Sequence, residues 1–262
     1  MEDVLTELPP PSRFFLEDLN NFTPPTPRLP SPFILLSNPN SKTPLRPSLL
    51  IVALSTPSLY LLHHVSSKTL IGTLVLPEIS SSGNTVEPSL KDKSCNLYAI
   101  THANESIILA NFQYSVSSER THAIAKTLIG QQIIPERVLI FDCIQSRNFR
   151  GRLSTDDTFA LKLETAVERK GVPLLKSLNY FPSGSVIEGL GAALLGRCQM
   201  KNIKGSLCVS WPELGGSVTS TLRSLLLKDV LPGLELKIDA NGEDEGSRFG
   251  HKNHYSDSDL YT

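Results

Sequence analysis

No two of the four cysteines, Cys95, Cys143, Cys198 and Cys208, stand in a CxxC spacing, and three of them lie in or beside apolar runs. This argues against a zinc or redox pair and for reduced core residues of a cytosolic protein. There is no excess of either charge: 25 basic residues face 26 acidic ones, a formal net charge of −1. A sequence-independent grip on nucleic-acid phosphate has no electrostatic basis in such a chain, so nucleic acid is not an expected partner. Long apolar runs are also missing. The longest, Leu49 to Leu62, is broken by Ser55, Thr56 and Pro57 and falls short of the roughly 20 residues that span a bilayer. Met1, Glu2 and Asp3, followed soon by prolines, lack the basic and apolar stretches of a secretory signal. The expectation is a soluble protein of the cytoplasm, with nuclear access left open.

Catalytic signatures are equally sparse. No Gly-x-Ser-x-Gly elbow occurs. Gly189, Gly191 and Gly196 in Gly-Leu-Gly-Ala-Ala-Leu-Leu-Gly invite a nucleotide reading, but their spacing is not GxGxxG, and small residues packing a helix against a sheet explain them better. His251 and His254 have a metal-like spacing without a nearby cysteine or a fixed third ligand. Asp142, just beyond the apolar run Val138 to Phe141, is the one carboxylate placed where α/β enzymes keep theirs. An Asp at a strand end more often caps a turn. No catalytic residue, metal or cofactor is assigned.

What is abundant is proline at one end. Eleven of the nineteen prolines fall in the first 47 residues, where they remove backbone donors and forbid regular helix. Residues 1–46 read as a disordered tail, residues 47–232 as one α/β domain, and residues 233–262 as a flexible acidic tail. Within the domain, Leu49 to Leu54 is a continuous apolar run typical of a strand buried on both faces, and Pro57 to Val65 continues as a helix with proline in its first turn. Leu70 to Leu76, Leu97 to Thr101 and Ile107 to Phe112 are strand-like, with Ser80 to Lys93 as an exposed loop. A helix from Ser117 to Gly130 precedes the strand Val138 to Phe141. Residues 146–184 stay open, and Thr158 to Thr165 suits either helix or strand. Ser185 and Glu188 form a capping-box pattern ahead of Ile187, Leu190, Leu194 and Cys198. Strand Leu207 to Trp211 and helix Ser217 to Lys228 follow, the latter with Val218, Leu222, Leu225 and Leu226 inward. The alternation predicts a largely parallel central sheet flanked by helices on both faces, three layers in all.

The polar segment after Pro232 ends abruptly in Leu260, Tyr261 and Thr262. A free carboxylate, a ring with a polar tip and an apolar residue together make a plug suited to a pocket with one cation. The ending Asp-Leu-Tyr-Thr resembles that of the eukaryotic proteasome assembly chaperone 1 family. The resemblance extends to Val186–Lys204, whose Ala192-Ala193-Leu194-Leu195 and Cys198-Gln199 are similar to a helix of that family, and in layout alone to most of residues 48–228. The proline-rich start departs from the charged one of animal members and suits a plant version, and the loop Ser80 to Lys93 is the chain's own. The resemblance implies a non-enzymatic chaperone that pairs with a second, related chaperone and promotes assembly of the α ring of the 20S proteasome. It also implies that the hydrophobic-Tyr-X motif Leu260, Tyr261 and Thr262 enters a pocket between α subunits, the Thr262 carboxylate meeting a pocket lysine. A flexible segment from residue 233 would reach on the order of 30 Å. Two other readings stay open: a nucleoside-phosphorylase-like or hydrolase-like enzyme on a similar sheet, and an activator of finished proteasomes.

Overall fold

Leu49–Ala53 is buried at every position, and a strand apolar on both faces needs cover on both. The computed structural model describes residues 29–37, 43–154 and 156–237. The chain divides between Pro30 and Ser31, and the described fold belongs to the unit that begins at Ser31. Its strands are β1 (Phe33–Leu36), β2 (Leu49–Ala53), β3 (Thr69–Val75), β4 (Cys95–His102), β5 (Glu105–Phe112), β6 (Arg137–Cys143), β7 (Phe159–Glu164), β8 (Asn179–Tyr180) and β9 (Lys204–Trp211). Its helices are α1 (Thr56–His63), α2 (Ser118–Leu128), α3 (Ala166–Lys170), α4 (Gly189–Met200) and α5 (Gly216–Leu225), the last running into a π turn over Leu226–Val230.

The nine strands form one mixed sheet in the order β1-β3-β4-β5-β2-β6-β9-β7-β8. The parallel arrangement expected from the alternation of strand and helix holds for the central β5, β2, β6 and β9 and for β7 with β8. It fails on the flanks. β1, β3, β4 and β5 run antiparallel in succession, and β7 runs antiparallel to β9. The cause on one side is a two-residue hairpin: His102 pairs with Glu105 across Ala103 and Asn104, both at positive φ of 49° and 64°, the twist that reverses a strand onto its neighbour. Asn104 is at home there and Ala103 is not, so the turn is poorly marked in the sequence.

Strand alternation sends the core to both faces. Leu50, Val52, Val138, Ile140, Leu207 and Val209 meet Ile124 and Leu128 of α2 and Leu190, Leu194 and Cys198 of α4. On the other face, Leu49, Ile51, Leu139 and Phe141 meet Tyr60, Leu61 and Leu62 of α1 and Val218, Leu222 and Leu225 of α5. Cys95, Cys198 and Cys208 are buried in these two cores.

Two local readings change, one left open is decided and one gains an anchor. Phe33–Leu36, inside the stretch that its prolines mark as a tail, is an edge strand paired with β3, because Pro30 and Pro32 precede it and leave its own donors intact. Thr158 to Thr165 is ambiguous in sequence because Lys162 and Glu164 are buried rather than solvated. In β7 they pair at 2.9 Å, Lys162 donates to the Leu175 carbonyl, and Glu164 accepts from the Tyr180 hydroxyl at 2.6 Å. The Ser185 and Glu188 capping box does not form, since α4 begins only at Gly189 and leaves Ser185 a turn too early. Ser185 accepts from the Arg150 N–H instead, and Glu188 pairs with Arg147. The loop from Ser80 to Lys93 is mostly exposed but is anchored by buried Asp92, which accepts from the Thr85 and Ser89 N–H groups.

Phe141, fully buried in the central β6, tests this architecture. Phe141→Ala is expected to cost about 3–5 kcal/mol, read as a lowered urea midpoint; an unchanged midpoint would contradict the packing described.

Candidate partner-binding surface

The N-terminal ends of β2, β5, β6 and β9 share one edge of the sheet, the lower edge, and two segments of chain reach it. On entry, Leu45 bridges Ile133 in parallel, donating to the Gln132 carbonyl and accepting from the Ile134 N–H. On exit, the segment after the π turn forms a strap. Leu236 bridges Val65 in antiparallel sense, Ser66 donates to the Glu235 carbonyl at 3.2 Å, and Lys237 donates to the His64 carbonyl at 2.9 Å. Leu234 and Leu236 pack on the α1 side of the core. The strap extends the ordered fold beyond the boundary at residue 232 expected from composition. Its signal was the alternation of Leu234 and Leu236 about Glu235, too short to stand out in a polar context.

The strap attaches where α1 ends. Lys68 closes that end by donating to the Leu62 carbonyl at 3.1 Å and to that of His63, its ammonium lying 5.1 Å above the Tyr98 ring. A cation over terminal carbonyls complements the helix dipole. Burial pulls the Lys68 ammonium down to about 8. Burial, helped by the charges of Lys68 and His64, pulls the His63 imidazole down to about 4.

Beside the strap region, on the face covered by α2, an apolar groove of about 440 Å³ opens between β1 and the entry segment. Leu36, Leu45, Leu70, Ile71 and Ile108 line it, with Arg46 at its side. Leu70 is 40% exposed, and Arg46 makes no ion pair among the described residues. Phe33 and Leu35 of the neighbouring edge strand are 44% and 58% exposed.

The upper edge, where ligands of α/β enzymes gather, carries a cleft of about 520 Å³ between Ile144–Arg147 and Trp211–Leu214. Asp142 lies beneath it on β6. Burial, with Glu213 adding to the effect and the Cys143 N–H opposing it, pushes its carboxyl up to about 6. Burial, with Asp142 and Glu213, pushes the Cys143 thiol up to about 12, which leaves almost no thiolate for nucleophilic work at neutral pH. Gly191 is small for a local reason: a Cβ there would stand 2.3 Å from Asp142 Oδ2. The start of α4 is therefore faced by a carboxylate, the opposite of what a bound pyrophosphate requires. Gly189 serves a φ of +71°, and Gly196 has open space around it, so helix-to-sheet packing explains one of the three glycines.

Among the described residues no group of three or more His, Cys, Asp or Glu side chains is arranged to hold a metal. No helix among them is long and apolar enough to cross a membrane. His251, His254, Leu260, Tyr261 and Thr262 lie outside the described residues.

No protein-family model matches the chain, and no curated protein matches it in sequence. Solved structures do match in fold. The crystal structure of Pyrococcus furiosus PbaB, an archaeal proteasome activator, superposes with a TM-score of 0.59 at 13% identity, covering 84% of this chain and 96% of PbaB. That of Pyrococcus furiosus PbaA, an archaeal homolog of proteasome-assembly chaperone, superposes with a TM-score of 0.60 at 14% identity, covering 84% of this chain and 88% of PbaA. A Thermoplasma acidophilum protein of unknown function follows with a TM-score of 0.51 at 15% identity, covering 79% and 83%. At these identities the likeness is one of fold.

Asp142 and His63 make a pH test. Asp142 contributes stability that is fully present below its ordinary value of 3.8 and is lost as pH rises through about 6. His63 has the opposite sign, its contribution being present above 6.5 and lost as pH falls toward 4. Asp142→Asn removes the first and keeps the second. Relative to the parent, the variant is expected to be more stable at pH 7 and to lose that advantage by pH 4; a difference in urea midpoint that stays constant from pH 4 to pH 7 would contradict the assignment.

Proposed function

We propose that this chain is a proteasome assembly chaperone that acts by docking. It pairs with a second chaperone of the same fold and promotes assembly of the α ring of the 20S proteasome. Its Leu260, Tyr261 and Thr262 enter a pocket between α subunits. The observation that carries the reading is the conjunction of a fold shared with PbaA and PbaB over 84% of the chain and the hydrophobic-Tyr-X pattern of Leu260, Tyr261 and Thr262.

The strap gives this reading its geometry. It fixes the chain to the lower edge at Lys237, and 25 residues follow in the sequence. Covalent geometry limits their span to about 85 Å, and a coil of that length has a root-mean-square reach of about 25–30 Å. A plug tethered in this way has an effective concentration of roughly millimolar near a ring on which the domain rests. A weak plug then adds usefully to a domain contact and still releases as assembly proceeds, with the lower edge facing the ring.

The description of PbaB as an activator favours a second reading, in which the same plug opens finished proteasomes. The upper-edge cleft gives the enzyme reading no comparable support, since the thiol beside it is suppressed and a carboxylate faces the helix start.

Tagged full-length chain is expected to recover a related chaperone and proteasome α subunits. A chain lacking Leu260, Tyr261 and Thr262 is expected to keep the chaperone and lose most of the α subunits, identified by mass spectrometry. Absence of α subunits from both purifications would overturn the docking role. Stimulation of peptidase activity when the purified chain is added to finished 20S particles would move the function to activation.

A further inference from the structure

The groove beside Arg46 is built for the same chemistry as the plug. Its lining is largely apolar, its volume of about 440 Å³ lies in the range of small-ligand sites, and the guanidinium of Arg46, without an ion pair among the described residues, stands at its side. We propose that Leu260 and Tyr261 of the free chain occupy this groove, with the Thr262 carboxylate against Arg46, so that the domain holds its own plug until a partner pocket competes for it. The proposal deepens the docking reading above and rests on it for what the plug does once released.

Three observations single out this segment as the occupant. The strap fixes the tail beside the groove: Lys237 bonds to His64 and Leu236 bridges Val65, while Thr69 and Leu70, at the start of β3, line the groove. Thr69 follows Val65 by four positions in the sequence, at most about 14 Å of chain. The tail leaves on the α1 side and the groove opens on the α2 side, so the path rounds one sheet edge, about one 10 Å layer thick. The 25 residues after Lys237 cover that distance many times over. Charge agrees as well, because Asp239, Glu243, Asp244, Glu245, Asp257 and Asp259 precede the plug and favour a site edged by an arginine.

Self-docking weakens the plug's apparent affinity for any other pocket by the factor one plus the ratio of effective concentration to self-affinity. With a roughly millimolar effective concentration and a self-affinity between 0.1 and 1 mM, that factor is about two to ten. Both Arg46 and Leu70 are exposed enough to change without disturbing the core.

The test places the photoreactive residue benzoylphenylalanine at position 261 of the full chain, in the absence of any proteasome subunit. The expected result is a crosslink within one chain to a peptide containing Leu70 or Ile71, with a yield independent of protein concentration and reduced several-fold by Leu70→Glu and by Arg46→Glu. Crosslinks elsewhere on the domain, crosslinks between two copies that grow with concentration, or indifference to both substitutions would overturn it. Because the assay contains no α subunits, its outcome is separate from that of the docking role. Where both hold, Leu70→Glu raises affinity for α subunits about two- to tenfold.

Discussion

The fold rests on the burial of β2, β6 and β9 on both faces. A strand that is apolar on every side cannot lie at the surface of a two-layer sheet, so helices must return over both faces, and each return requires the next strand to run parallel. The consequence reaches the lower edge of the sheet. Parallel strands put all their N-terminal ends on one edge, and the entry segment at Leu45 and the strap at Leu236 both meet that edge. The point from which the C-terminal segment departs is thus fixed by the same core that fixes the sheet.

That core was legible in the sequence because its signal is local and strong. Leu49–Ala53 and Val138–Phe141 are unbroken apolar runs, and α5 announces itself through Val218, Leu222, Leu225 and Leu226, all buried. What was not legible depends on pairing across distance. The antiparallel flank follows from a hairpin turn at Ala103–Asn104 that lacks the usual Asn-Gly pattern. The burial of Lys162 and Glu164 in β7 depends on a partner carbonyl at Leu175 and on Tyr180, neither visible from the local pattern. The entry segment beside Arg46 was hidden by its prolines, and the strap was hidden by its polar surroundings. The terminal Leu260, Tyr261 and Thr262 were read as chemistry alone and lie outside the described residues.

The two ends of the sheet differ in what they can do. The upper edge has a cleft, but its acid and thiol are both pushed toward their neutral forms by burial, and the approach of α4 is set by Asp142 packed against Gly191. The lower edge offers a strap, a helix end capped by Lys68, an apolar groove and, in Arg46, a guanidinium with no ion pair among the described residues.

In the function proposed above, this chain meets the proteasome through its lower edge and its terminal plug. A cryo-electron microscopy reconstruction of the full-length chain, with its sister chaperone, on an assembling α ring addresses it directly. The expected result is that the lower edge, with Lys237, faces the ring and that density for Leu260, Tyr261 and Thr262 fills a pocket between neighbouring α subunits. A complex in which the upper edge faces the ring, with those pockets empty, would contradict it.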